Sequence, residues 1–214
     1  MDVHLLTWAL HLHVCVCLSL FVGIRGQEGT VTCGSVVKLL NGKHDVRLHS
    51  HDVKYGSGSG QQSVTAVKEA DDGNSYWRLR GVNADCVRGR PVACGQTLRL
   101  THMNTGRNLH SHHFSSPLSG QQEVSAFGEG GEGDQLDHWV VECSGKHWRR
   151  SETVKFKHLV TGAWLSVTGE QYGRPISGQR EVSGTSSPSQ HSSWKAMEGV
   201  FLQAQAEHAS HTEL

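Results

Sequence analysis

One unit of sequence occurs three times in this chain of 214 residues, and that recurrence restricts the fold more than any other feature. After Cys33 the chain reads V-V-K-L-L, R-L-H-S-H, G-S-G-S-G-Q-Q-S-V-T-A and S-Y-W-R-L. After Cys94 it reads T-L-R-L-T-H, N-L-H-S-H-H, L-S-G-Q-Q-E-V-S-A and D-H-W-V-V. After Trp148 it reads T-V-K-F-K-H, W-L-S-V-T, I-S-G-Q-R-E-V-S-G and S-S-W-K-A. Equivalent positions are Leu39, Leu100 and Phe156; Leu48, Leu109 and Leu165; Gly60, Gly120 and Gly178; Val64, Val124 and Val182; Trp77, Trp139 and Trp194. The tryptophans stand roughly 55 to 62 residues apart, so a short loop varies between units.

Apolar and polar residues alternate over short runs such as Val37 and Leu39, Leu98 and Leu100, Val154 and Phe156. Asn41-Gly42 and Asp72-Gly73 break these runs, which is the pattern of strands joined by hairpins. No long stretch holds a 3.6-residue period, so helix is expected to be minor. Each unit has room for roughly four short strands, and three units are too few for a propeller. The expected fold is all-β, a β-trefoil with pseudo-threefold symmetry. The repeated Leu, Val and Trp are then core residues, and the repeated Gly-Gln segment is a turn whose glycine takes positive φ and whose amides bond nearby backbone.

Lysine and arginine number 20 against 20 aspartate and glutamate, which argues against a nucleic-acid scaffold or a polybasic membrane binder. Leu5 to Ile24 is mostly apolar and uncharged, and small residues follow, so 1–26 is expected to be a signal peptide cleaved near Gly23 to Gln27. The chain ends His211-Thr212-Glu213-Leu214, one substitution from the H-D-E-L retrieval signal, within a tail over 201–214 expected to be flexible. These two ends point to the lumen of the endoplasmic reticulum, with partial secretion where Thr212 weakens retrieval. Beyond the leader four cysteines remain, and they allow three connectivities. Cys33 and Cys86 bracket the first unit and Cys94 and Cys143 the second, so these pairs are the predicted disulfides, in keeping with an oxidising compartment. The third unit has no cysteine and is left to packing. No N-x-[ST] sequon is present.

The runs V-T-C-G-S-V-V-K-L-L-N (31 to 41), R-L-H-S-H-D-V-K-Y-G-S-G-S-G-Q-Q-S-V-T (47 to 65), N-L-H-S-H-H-F-S-S-P-L-S-G (108 to 120), V-S-A-F-G-E-G-G-E-G-D (124 to 134), L-S-V-T-G-E-Q-Y-G-R-P-I-S-G-Q (165 to 179) and W-K-A-M-E-G (194 to 199) closely resemble the stromal cell-derived factor 2 family. The repeats of that family are MIR motifs, shared with protein O-mannosyltransferases and the inositol trisphosphate and ryanodine receptors. The likeness covers about residues 30 to 200 and divides the chain into MIR repeats at 28–82, 89–144 and 145–199. It implies a β-trefoil in the endoplasmic reticulum lumen and a non-enzymatic role in a chaperone complex with a J-domain co-chaperone and BiP, acting on misfolded proteins.

Histidine is abundant, at 16 residues, and the H-S-H pairs would project from one face of a strand. Zinc would need ligands about 2.0 to 2.1 Å from one point, whereas the third unit has Ser166 and Thr168 at these positions. The reading is therefore partly exposed histidines bonded to backbone or to each other, with His49, His51, His110, His112 and His113 the candidate interaction surface and no metal or other cofactor. Gly128, Gly130 and Gly133 match G-x-G-x-x-G, but Glu129, Glu132 and Asp134 would repel a pyrophosphate, so an acidic turn is expected. No nucleophile stands with its base, and no catalytic residue is assigned. A mannose-related carbohydrate-binding module is the alternative, a fold-level analogy that needs exposed aromatics; Tyr55, Phe114, Trp148, Trp164 and Tyr172 are the candidates.

Overall fold

The computed structural model describes residues 29–83 and 85–204, so the expected leader and the terminal His211-Thr212-Glu213-Leu214 lie outside the described residues. The first unit forms β1 (Val36–Asn41), β2 (Val46–Lys54), β3 (Gln62–Val67) and β4 (Trp77–Gly81). The second forms β5 (Thr97–His102), β6 (Asn108–Ser115), β7 (Gln122–Phe127) and β8 (Trp139–Glu142). The third forms β9 (Thr153–His158), β10 (Trp164–Gln171), β11 (Arg180–Thr185) and β12 (Trp194–Val200). A single 3-10 turn precedes the last strand of each unit, at Gly73–Ser75, Gln135–Asp137 and Gln190–Ser192.

The pairings close two rings. β1 pairs with β4, β4 with β5, β5 with β8, β8 with β9, β9 with β12, and β12 returns to β1, all antiparallel. That is a six-stranded barrel with no free edge. The remaining strands form hairpins, β2 with β3, β6 with β7 and β10 with β11, and these cap one end through the triangle β3–β7, β7–β11 and β11–β3. The architecture is a β-trefoil.

The repeated residues fill its centre: Leu39, Leu100, Phe156, Leu48, Leu109, Leu165, Val64, Val124, Val182 and the three tryptophans are all buried. Each indole must satisfy its N–H there, and each donates to the carbonyl of the repeated leucine, Trp77 to Leu48 at 2.9 Å, Trp139 to Leu109 at 2.9 Å and Trp194 to Leu165 at 2.8 Å. The conjunction of Leu and Trp in every unit is thus one hydrogen bond repeated three times.

Gly60, Gly120 and Gly178 have φ of 67°, 70° and 82°, the left-handed region that favours glycine. The neighbouring amides differ from expectation, because they bond side-chain hydroxyls. Gln62 Nε2 donates to Ser50 Oγ and Thr105 Oγ1, and Gln122 Nε2 to Ser111 Oγ and Thr161 Oγ1, so one amide ties the hairpin to the next turn.

Disulfides join Cys33 to Cys86 and Cys94 to Cys143, closing loops of 53 and 49 residues. The third unit does not rest on generic packing alone. The amides of Cys33, Cys94 and Arg150 take the same backbone bond, to Arg90, Lys146 and Gly29 carbonyls, so Arg150 stands where the other units place cysteine. Its guanidinium lies 3.6 Å from the Phe201 ring centroid, a cation–π contact in place of the S–S bond.

Candidate functional site

The histidine pairs are the chemistry-bearing feature that the repeats bring together. His49 on β2 and His110 on β6 share a register, opposite Thr65 and Ser125. His49 Nδ1 lies 2.9 Å from Asp72 Oδ2 and its Nε2 2.9 Å from Nδ1 of His51, whose Nε2 reaches Ser63 Oγ at 3.1 Å. His110 Nδ1 lies 2.9 Å from Asp137 Oδ1, its Nε2 3.1 Å from His112 Nδ1, and His112 Nε2 3.1 Å from Glu123 Oε1. Glu123 also accepts from the Ser59 amide and hydroxyl in the loop of the preceding unit. Each chain of bonds therefore crosses from a 3-10 turn, through two imidazoles, to the cap triangle.

The far ends of the two chains differ in chemistry: the Ser63 hydroxyl donates its one proton to the Val53 carbonyl at 2.8 Å, whereas Glu123 is a carboxylate acceptor. Burial alone would raise the Glu123 carboxyl, but the His112 ring and both Ser59 donors hold it below its usual range. Burial works against Asp72 as well, and there the Ser75 hydroxyl and the His49 ring outweigh it. Burial, with the His49 ring beside it, lowers His51.

The expected interaction surface needs correction. His49 and His110 are 4% and 2% exposed, since a carboxylate on one side and a second ring on the other enclose them. They are framework residues, while His51 and His112 are half-buried and His113 is exposed. Phe114, half exposed, lies edge-on to His112 at 4.9 Å between centroids. Of the other candidate aromatics Tyr55 and Trp148 are buried, Tyr55 because its hydroxyl donates to the carbonyls of Val64 and Val124 at the cap. The glycine motif at 128–133 forms a tight acidic turn, with Glu129 bridged to Glu132. His110, Asp134 and Asp137 offer three atoms within 4.8 Å of one another. They already serve as a cap, since Asp134 accepts from the Leu136 amide and Asp137 from the Asp134 amide, Asn108 and His110.

Sequence reasoning passed over three groups. His102 and His158 close β5 and β9, each packed on a repeated tryptophan at 5.0 and 4.9 Å. Each donates from Nε2 to a carbonyl of a 3-10 turn, Asn74 and Leu136, as Asn41 Nδ2 does to His191 in the remaining unit. Burial lowers both, His102 to about 4. The signal was present as the terminal histidine of T-L-R-L-T-H and T-V-K-F-K-H. Buried Glu123 and Glu181 are the second group, and Glu181 anchors the amides of Leu118 and Ser119. The third is a cleft of about 460 Å³ in the third unit, at Ser166 and Thr168, where the other units carry their histidines.

The repeated Trp–Leu bond, the cap triangle and the histidine chains define a class. The MIR domain family matches residues 38–142, and this protein is a MIR-domain β-trefoil. Human stromal cell-derived factor 2 is 68% identical over 188 residues, covering 85% of this chain and 89% of that protein. The crystal structure of the SDF2-like protein from Arabidopsis thaliana superposes with a TM-score of 0.80 at 43% identity, covering 83% of this chain and 99% of that one. The S. cerevisiae protein O-mannosyltransferase Pmt1-Pmt2 complex bound to the sugar donor matches with a TM-score of 0.74 at 26% identity, over 85% of this chain and 27% of that one. The chain belongs to the stromal cell-derived factor 2 family.

Proposed function

We propose that this protein is a non-enzymatic component of a chaperone complex in the lumen of the endoplasmic reticulum, binding a J-domain co-chaperone and BiP and assisting the folding or quality control of misfolded proteins. The observation that carries this reading is family membership along nearly the whole length of the relatives, with 68% identity across 89% of the human protein. The site chemistry agrees with it. The described His–acid pairs are bonded on both sides and hold turns to the cap, which is the work of a scaffold. Residues 1–26 as a leader and His211-Thr212-Glu213-Leu214 as a retrieval signal belong to the same proposal. So do repeats at 28–82, 89–144 and 145–199. Among the described residues no helix is long and apolar enough to cross a membrane.

The test is affinity purification from the lumen of a chain tagged just after the leader, with Leu214 left free, followed by mass spectrometry. Recovery of a J-domain protein with BiP, persisting after glycosidase treatment, is the expected result. Glycoproteins released by free mannose would replace this reading with the alternative, a carbohydrate-binding module. One observation favours that second reading, the hydroxyl-lined cleft of the third unit.

A further inference from the structure

We propose that this cleft is a binding site for a neutral saccharide, an inference that goes beyond the chaperone reading and stands whether or not that reading holds. Its origin is a substitution pattern. Where the first unit has Asp72, His49 and His51 and the second Asp134, His110 and His112, the third has Ser189, Ser166 and Thr168, and the second unit's other carboxylate, Asp137, aligns with Ser75 and Ser192. Both rings and the carboxylate are replaced by hydroxyls, and the space opens as a cleft of about 460 Å³, within the range of small-ligand sites.

The lining specifies the ligand. Ser119, Ser166, Thr168, Thr185, Ser187 and Ser189 present hydroxyls, with Glu170, Gln121 and His191 around them. Among the described residues no lysine or arginine lines the cleft, which disfavours phosphate and sulfate, and Val167 is the lone aliphatic, which disfavours a lipid or an apolar peptide. A hydroxyl donates once and accepts twice, so a wall of hydroxyls matches a ligand whose own groups do the same, and the Glu170 carboxylate can accept from a vicinal diol. These hydroxyls are already oriented. Ser166 Oγ bonds the Trp164 carbonyl and Thr185, Ser189 Oγ accepts from the His191 amide, and Thr168 Oγ1 from the Glu170 amide. Each keeps capacity for a ligand at little ordering cost.

A second observation is independent of the lining. At the cap, Ser125 Oγ bonds Gln61 Oε1 and Thr65 Oγ1 bonds Gln179 Oε1. Their counterpart Ser183 is fully buried with an Oγ that has no partner among the described residues, and the counterpart glutamine, Gln121, lies on the cleft instead. Ser183 is paired with Ser166 across β10 and β11, so the orphaned hydroxyl sits on the same face as a residue of the cleft. The third link of the cap is left open on the side of the proposed site.

The test is NMR titration of the mature chain with methyl α-mannoside, maltose, lactose and glucose, alongside glucose 6-phosphate and a Ser/Thr-rich peptide. At least one neutral sugar is expected to shift amides of 166–170 and 185–191 saturably, and the phosphorylated sugar to bind more weakly than its neutral counterpart. The double variant Ser166→His with Thr168→His rebuilds the ring pair of the other units and is expected to weaken binding at least tenfold. If it does not fold, Ser187→Ala and Gln121→Ala at the rim are each expected to weaken binding several-fold. Shifts confined to another face, preference for the peptide or the phosphate, unchanged affinity in these variants, or no shift with any sugar at tens of millimolar would each overturn the proposal.

Discussion

The ring of His102 makes two hydrogen bonds that together require the neutral imidazole: Nε2–H donates to the Asn74 carbonyl at 2.9 Å, and Nδ1 accepts from the Thr105 hydroxyl at 2.9 Å. Burial is the main cause of its depressed pKa, about 4 against an ordinary 6.5. Between those values the unfolded chain takes up the proton and the folded one refuses it, so this contribution to stability is whole above about pH 6.5 and lost as pH falls toward 4. The loss is expected to be on the order of 2 to 3 kcal/mol. His158 adds to it in the same direction. His102→Asn, which installs the residue found at Asn41, is expected to flatten the slope in urea unfolding measured across that window, and an unchanged slope would assign the pH dependence elsewhere. Asp72 and Glu123, both held below their ordinary values, act at lower pH, contributing stability above those values that disappears as each carboxyl protonates. The buried Ser183 hydroxyl makes the opposite case. Because it has no partner, Ser183→Ala is expected to be neutral or stabilising by up to about 1 kcal/mol, while Ser125→Ala, which strands Gln61, costs about 1 kcal/mol or more.

At the scale of strands and turns, the sequence made the repeated framework legible and hid the chemistry of the joints. Leu48, Leu109 and Leu165 with Trp77, Trp139 and Trp194 could be aligned by eye because each unit needs the same inward residue and the same indole bond. The His49 and His110 pairs were visible as H-S-H, yet their burial was not, because the enclosing Asp72 and Asp137 come from 3-10 turns 23 and 27 residues away, and no local pattern joins them. The cleft was equally hidden: Ser166 and Thr168 read as the absence of a metal ligand, and only packing shows that what two rings fill elsewhere is left open. The disulfide positions give a direct comparison between chemically different joints. Opening Cys33–Cys86 or Cys94–Cys143 by double Cys→Ala substitution releases loops of 53 and 49 residues and is expected to cost about 2 to 5 kcal/mol. Phe201→Ala removes only the contact with Arg150 and the ring's own burial, and is expected to cost about 1 to 2 kcal/mol. Chemical denaturation of the three variants ranks the joints, and a Phe201 variant as damaging as a lost disulfide would refute that ordering.

For the whole molecule the decisive property is closure. The two ends of the described chain are stitched together: β1 pairs with β12, and Thr32 Oγ1 donates to the Leu202 carbonyl while the Leu202 amide donates to Ser35 Oγ. No unit owns a complete core. The barrel needs two strands from each, and the cap needs one hairpin from each. Truncation after Gly145 therefore deletes a third of the sequence and does more than remove a third of the structure. It exposes β1 where β12 lay and β8 where β9 lay, leaves β3 and β7 without β11, and uncovers Leu39 and Val141. Two long unpaired edges and an open core favour association with other chains over folding. The truncated chain is expected to show no cooperative urea transition and to aggregate, although both disulfides could still form. The full chain is expected to unfold in one transition monitored by tryptophan fluorescence and by backbone circular dichroism alike. If the first two units alone unfolded cooperatively as a soluble monomer, stability would reside in the separate repeats and the closed ring would not be the folding unit.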